Sequence, residues 1–211
     1  MFICDTKGVI YPTRQAGMND FKKTLANASI TQDTSLEEIC KGADVLLGVS
    51  AAGAFKEDFI KSMNPNPVIF AMANPEPEIR PEVAKAARPD CIIATGRSDY
   101  PNQVNNVMCF PFLFRAALDT MATKINEEMK MAAAKALAQL AHEEVPQEVK
   151  DAFPGRTFEF GPEYIIPTPF DPRLITALPI PIAKVAMETK VSQCRIYDME
   201  EYKQRLLAKN F

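Results

Sequence analysis

Four short stretches of this 211-residue chain offer amide, hydroxyl or carboxylate side chains suited to binding a small ligand. Asn74 follows the apolar run from Val68 to Met72 and precedes Pro-Glu-Pro. Asn105 and Asn106 end a polar loop that begins at Gly96. Ser50 and Ala51 follow the apolar segment from Asp44 to Val49, and Asp5 follows Phe2-Ile-Cys. Amides donate and accept, so the asparagines suit a carboxylate, a hydroxyl or a carboxamide. The small residues Ser50-Ala-Ala-Gly53 let backbone approach a ligand. An acid at a strand end can accept from ribose hydroxyls. Each stretch also has a plainer reading. Asn74 can cap its own loop, one of the asparagine pair can be a helix N-cap, and Asp5 can be a turn residue. Residues 50–53 can be small because helices pack closely there.

The amides supply no proton-transfer acid or base and no metal site. His142 is the only histidine and falls in a charged helical stretch, so it reads as a surface residue. A Ser–His–Asp set away from it is excluded. Neither a Gly-Lys-Ser phosphate loop nor a Gly-x-Gly-x-x-Gly fingerprint is present. The five cysteines are widely spaced without a Cys-x-x-Cys, which argues against zinc and for reduced thiols.

The elements that position these residues read as an alternation. Residues 2–5 form a strand ending at Asp5, suited to the second strand of a dinucleotide-binding unit. Asn19 or Asp20 caps a helix to about Ala26, with Phe21 and Leu25 on one buried stripe. Ser35-Leu-Glu-Glu38 is a capping box that opens a short helix stopped by Gly42. Residues 44–49 are a buried strand, 55–63 a helix, and 68–72 a strand with no polar residue to face water, hence covered on both faces. Residues 79–87 are a helix with Pro81 in its first turn, and 91–95 a further strand. Strand–helix alternation predicts parallel strands with crossover helices, and ligands in such sheets bind at the strands' carboxyl ends. A helix begins near Phe110, and the asparagine pair sits beside its start, a natural carboxylate site. Helices are predicted over 126–144, over 174–189 (bent or broken by Pro179 and Pro181) and from Asp198 to Ala208. Residues 165–172 are extended by their prolines. No domain boundary is evident.

The net charge is −3 with both signs interspersed, and nothing in it suggests a nucleic-acid surface. No apolar run is long enough to span a bilayer, and Met-Phe-Ile-Cys-Asp lacks a signal peptide's basic region. A cytoplasmic or organelle-matrix location is expected.

With these residues in view, the chain resembles the carboxyl-terminal part of malic enzyme, in its bacterial-type branch. The matching runs are Cys4-Asp-Thr-Lys-Gly-Val-Ile10, Leu47-Gly-Val-Ser-Ala-Ala-Gly53, Phe70-Ala-Met-Ala-Asn-Pro-Glu-Pro-Glu78 and Ala94-Thr-Gly-Arg-Ser-Asp-Tyr-Pro-Asn-Gln-Val-Asn-Asn106. The similarity continues through Phe110–Leu118 and Ile166–Arg173. The resemblance implies an α/β fold: the carboxyl-terminal part of a Rossmann-type doubly wound parallel sheet, then carboxyl-terminal helices, with residues 1–211 forming a partial NAD(P)-binding domain. It implies oxidative decarboxylation of malate to pyruvate and carbon dioxide, with reduction of NAD or NADP and a divalent metal, Mg or Mn. Asn74, Asn105 and Asn106 carry over as malate and nicotinamide contacts, and Asp5, Ser50, Ala51 and Asn74 as dinucleotide contacts. The family's proton-handling tyrosine and lysine, its metal carboxylates and its glycine fingerprint are expected outside this chain. Tyr100 belongs to the asparagine loop and is not the catalytic tyrosine. A missing first strand would leave strand edges and apolar faces unpaired. The expected partners are therefore a complementing upstream polypeptide or further copies in a homo-oligomer, and the chain alone is expected to be inactive. The competing readings are a non-catalytic dinucleotide or organic-acid binding module and another α/β dehydrogenase lacking its front part. Asp5 leans towards NAD because it repels a 2′-phosphate, and Lys7 and Arg14 offset that.

Overall fold

The computed structural model describes residues 1–208 and divides into two compact units, the first from Met1 to Ile93 and the second from Ala94 onward. No helix among the described residues is long and apolar enough to cross a membrane.

The first unit opens with two short strands, β1 (Cys4–Asp5) and β2 (Gly8–Val9). They pair antiparallel, Cys4 opposite Val9 and Asp5 opposite Gly8. This corrects the expectation that residues 2–5 run as a strand of the parallel sheet. The chain reverses at once because the Lys7 amide donates to Asp5 Oδ1 at 2.8 Å and Gly8 adopts φ +99°. Only glycine suits that position, and a Cβ there would meet the Thr34 carbonyl oxygen at 2.6 Å. Asn19 caps α1 (Asp20–Thr24), accepting from the Lys22 amide. Five residues are too few for a stripe, and Phe21 is exposed rather than buried. Ser35 and Glu38 form the reciprocal capping box at α2 (Leu36–Cys40), and Gly42 follows at φ +71°.

The sheet consists of β3 (Val45–Gly48), β4 (Val68–Ala71) and β5 (Ile92–Thr95), in that order. β3 and β4 are parallel, with Val45 beside Val68 and Gly48 beside Ala71. The helices between the strands are α3 (Glu57–Ser62) and α4 (Pro81–Ala87), the latter with proline in its first turn. Leu46, Ile69, Ala71 and Ile93 pack with Cys40, Phe55, Ile60, Met63, Ile79 and Ala84 into one core. Side chains alternate across a strand, and on β3 the alternate face is open. Val45, Leu47 and Val49 are 56%, 59% and 76% exposed. Segment 44–49 is therefore buried on one face only, and Val68 and Phe70 of β4 are half-buried rather than enclosed.

The second unit is helical. A 3₁₀ turn (Asn106–Met108) leads into α5 (Phe110–Asp119), which starts with proline in its first turn. Then follow α6 (Glu127–Ala141), α7 (Gln147–Ala152), α8 (Leu174–Ala177), α9 (Pro179–Glu188) and α10 (Met199–Leu207). Asn126 caps α6 and Asp198 caps α10. Pro179 starts α9 rather than bending one long helix, since a first-turn proline needs no backbone donor. The core comprises Met108, Ala116, Met129, Leu140, Leu174, Leu178, Ile182 and Leu206 among others. Helix α5 is apolar on both sides. Ala116 is buried, while Phe110, Phe114 and Leu118, spaced four apart, form an exposed stripe.

Candidate functional site

Asp5 is held by cations. Arg14 donates to both of its oxygens, at 3.0 and 2.5 Å, and Lys22 Nζ lies 2.5 Å from Oδ2. The same guanidinium donates to the carbonyls of Gly8 and Val9 at 3.1 Å each. Arg14 is buried because these groups replace water around it. The hydrogen bonds from Arg14, then those from Lys22 and the Lys7 amide, hold the Asp5 carboxyl well below the usual carboxylate range. The Asp5 carboxylate is therefore already charge-balanced, with Lys22 as its more exposed partner.

The loops leaving β3 and β4 lie together in the first unit. Ser50 and Ala51 are exposed at the end of β3, and Asn74 is exposed after β4. The Asn74 amide makes no hydrogen bond to a described residue. The Asn74–Pro75 peptide is cis. Between the two loops sits Glu78, fully buried. Its Oε1 accepts from the Ser50 amide at 2.7 Å and the Ser50 hydroxyl at 3.0 Å. Its Oε2 accepts from the Ala73 amide at 2.9 Å. Backbone bonds add to this link: Phe55 N donates to the Glu78 carbonyl at 3.1 Å and Gly53 N to the Pro77 carbonyl at 3.4 Å. The same loops border a cleft of about 380 Å³ lined by Gly53, Phe55, Lys56, Glu76 and Arg80.

The asparagine pair belongs to the second unit. Asn105 Oδ1 accepts from the Val107 amide at 3.0 Å, so this residue caps the 3₁₀ turn. The neighbouring Asn106 is exposed, and its amide makes no hydrogen bond to a described residue. Both precede α5 by several residues, so they stand beside the helix start rather than in it. Asn102 is buried with φ +54° and fastens the loop, donating to the Pro162 carbonyl at 2.8 Å and accepting from the Ile165 amide at 2.9 Å. Asparagine tolerates that left-handed conformation better than most residues.

The structure thus unites Ser50, Ala51 and Asn74 through Glu78, places Asp5 in a hairpin of the same unit, and places Asn105 and Asn106 in the other. Sequence reasoning did not single out Glu78, Asn102 or the hold of Lys22 on Asp5. An acid followed by buried Ile79 in a proline-bounded loop was the available signal for Glu78. No group of three or more His, Cys, Asp or Glu side chains among the described residues could hold a metal ion. The His142 ring packs against Phe160, with centroids 3.7 Å apart.

Residues 1–155 match the family model described as "Malic enzyme, NAD binding domain". The NADP-dependent malic enzyme of Rhizobium meliloti is 55% identical over 209 residues, covering 99% of this chain and 27% of that protein. The NAD-dependent malic enzyme of the same organism is 49% identical, covering 98% of this chain and 26% of that protein. Among solved structures, the malic enzyme of Entamoeba histolytica superposes with a TM-score of 0.79 at 31% identity, covering 98% of this chain and 41% of that one. The malic enzyme of Pyrococcus horikoshii gives 0.71 at 36% identity, covering 89% of this chain and 40% of that one. The chain spans about a quarter of the length of the first curated relatives it matches.

Proposed function

Because this chain belongs to the malic enzyme family, we propose that it supplies the nucleotide-facing part of an enzyme that oxidatively decarboxylates malate to pyruvate and carbon dioxide. The observation that carries this reading is the exposed Asn74 amide, without a hydrogen bond to a described residue, at a strand's carboxyl end within the family-matched region. Bound NAD or NADP would take the hydride from C2 of malate. This chain's residues bind and orient. The Asn74 and Asn106 amides donate to a carboxylate or hydroxyl of malate or accept from the nicotinamide carboxamide. Ser50 and Ala51 bring backbone close to the dinucleotide, and Asp5 accepts from its ribose. An amide has no accessible proton to exchange at neutral pH, so proton transfer falls to groups outside this set. The described residues do not fit a divalent metal, since no three of their His, Cys, Asp or Glu side chains come together to hold one.

The second part of the proposal is that another polypeptide stretch, in the same protein or in a complementing chain, completes the catalytic unit. It is supported by the open apolar face of β3 and by the exposed Phe110, Phe114 and Leu118 stripe on α5. Large contiguous apolar surface on a soluble protein marks an interaction site. The isolated chain is accordingly inactive.

The test is malate-dependent reduction of NAD and NADP with manganese, by the chain alone and by the chain mixed with the preceding region of a related malic enzyme. Turnover in the mixture, abolished by Asn74→Ala, supports the reading. A folded, associated mixture without turnover favours the non-catalytic binding module.

A further inference from the structure

We infer that Glu78 is a positioning residue, a buried carboxylate strut that sets the distance between the loop after β3 and the loop after β4. The inference rests on the reading that Ser50, Ala51 and Asn74 face the nucleotide. Glu78 touches none of the groups proposed to meet malate; it acts through the backbone of Ser50 and Ala73, the neighbours of Ala51 and Asn74.

Three features of the carboxylate support this role. It is fully buried, and no cation among the described residues pairs with it. A buried carboxylate without a counter-charge is costly, so it is tolerated only where its lone pairs are well used. Second, its oxygens are divided between strands: Oε1 takes both Ser50 donors, Oε2 takes the Ala73 amide. An ionised carboxylate offers acceptors at both of its oxygens and no donor. Third, β3 makes room for it. A Cβ on Gly48 would lie 2.5 Å from the Glu78 carboxyl carbon and 2.5 Å from Oε1. Gly48 has no positive φ to explain the glycine, so the space itself is the reason. The Met72 amide, donating to the Gly48 carbonyl at 3.2 Å, fixes the strands on the other side of this contact.

Glu78→Gln is the informative variant because it keeps shape and volume. Its amide must turn NH₂ towards either the Ser50 or the Ala73 N–H, so one loop is released. Wild-type chain, Glu78→Gln and Ser35→Ala, each mixed with the preceding region of a related malic enzyme, would be titrated with NADH and NADPH by fluorescence, with amide exchange followed at Ser50 and Ala73. Ser35→Ala destabilises the same unit at α2, away from these loops, and reports what general loosening does. The expected result is roughly ten- to hundredfold weaker nucleotide binding for Glu78→Gln, the range for losing a charge-assisted hydrogen bond. Exchange should quicken at Ser50 or Ala73, and Ser35→Ala should bind as wild type does. Unchanged affinity in Glu78→Gln, with wild type binding, overturns the strut while leaving the nucleotide reading intact. Equal weakening by Ser35→Ala overturns it too, because stability alone then explains the loss. Absence of wild-type binding overturns the nucleotide reading and the inference with it. Should Glu78→Gln fail to fold, wild type decides. Saturating nucleotide should shift the ¹³C resonance of the Glu78 carboxyl together with the Ser50 and Ala73 amides, and an unmoved carboxyl overturns the inference.

Discussion

Replacing Asp5 by alanine should destabilise the first unit far more than replacing its second partner, Lys22. The Arg14 side chain is 2% exposed and the Lys22 side chain 28%. Removing Asp5 strands a buried guanidinium with only the Gly8 and Val9 carbonyls as acceptors. Breaking a fully buried pair costs about 3–5 kcal/mol. Asp5 is itself partly exposed and Arg14 keeps two acceptors, so about 2–3 kcal/mol is expected here. Lys22→Ala leaves the bidentate Arg14 contact whole and should cost about 1 kcal/mol or less, as partly exposed pairs do. The assay is native-state hydrogen exchange at the Val9 and Ile10 amides, which donate to the Thr34 and Ile3 carbonyls at 2.9 and 2.8 Å. These report the hairpin directly, without assuming that both units unfold together. The acid limb gives the sign a second check. Arg14 and Lys22 hold the Asp5 carboxyl below its unfolded value. Its contribution is therefore full above about pH 4 and is lost as pH falls towards the lower folded value. The Asp5→Ala hairpin should show a flatter acid limb. Losses for Asp5→Ala and Lys22→Ala within about 0.5 kcal/mol of each other would refute the reasoning, because burial would then not be setting the cost.

Gly48→Ala forces a methyl group against the Glu78 carboxylate and the Phe55 ring; a loss of about 1–3 kcal/mol by denaturant unfolding is expected, the usual cost of overpacking. Tyr202→Phe removes a buried hydroxyl that donates to Asp119 at 2.9 Å, and should cost about 1–2 kcal/mol in exchange experiments on α10. Burial and then the Asp119 charge raise the Tyr202 phenol, so the wild-type contribution should be full below about pH 10 and fall as pH rises towards the folded value. Lys22→Ala should weaken NADPH binding more than NADH binding, because Lys22 is the more exposed of the cations balancing Asp5 against a 2′-phosphate; equal effects on the two nucleotides in the same titration would refute that.

Locally determined features of the fold were legible in the residues. The Ser35–Glu38 capping box needs only neighbours in sequence and stands as read, and the helices expected from Asn126 and from Asp198 begin directly after those residues, which cap them. The apolar runs around Leu46, Ile69 and Ile93 fall in strands because β-rich segments of that length have few alternatives. The parallel pairing of β3 with β4 was legible from the strand–helix alternation, whereas the antiparallel pairing near the start of the chain was not. Residues 2–5 looked like a sheet strand, yet the Lys7–Asp5 turn and Gly8 fold them back onto Val9. Phe21 looked buried, but α1 ends before a second turn can present it to a core. The burial of β3 depends on what covers its second face, which no property of Val45, Leu47 or Val49 specifies. At the candidate site, the exposed amides Asn74 and Asn106 were readable from type and place. Asn105 took the plainer role of a cap. The strut was hidden because Glu78 finds its donors 28 residues away at Ser50 as well as five away at Ala73.

The most direct test of the central claim is the turnover assay with NAD and with NADP, malate and manganese, run on the chain alone and with the preceding region of a related malic enzyme. The account predicts no reduction by the chain alone and malate-dependent reduction in the mixture, lost on Asn74→Ala. Full turnover by the chain alone would contradict the need for a completing polypeptide. An active mixture indifferent to Asn74→Ala would contradict the assignment of the site.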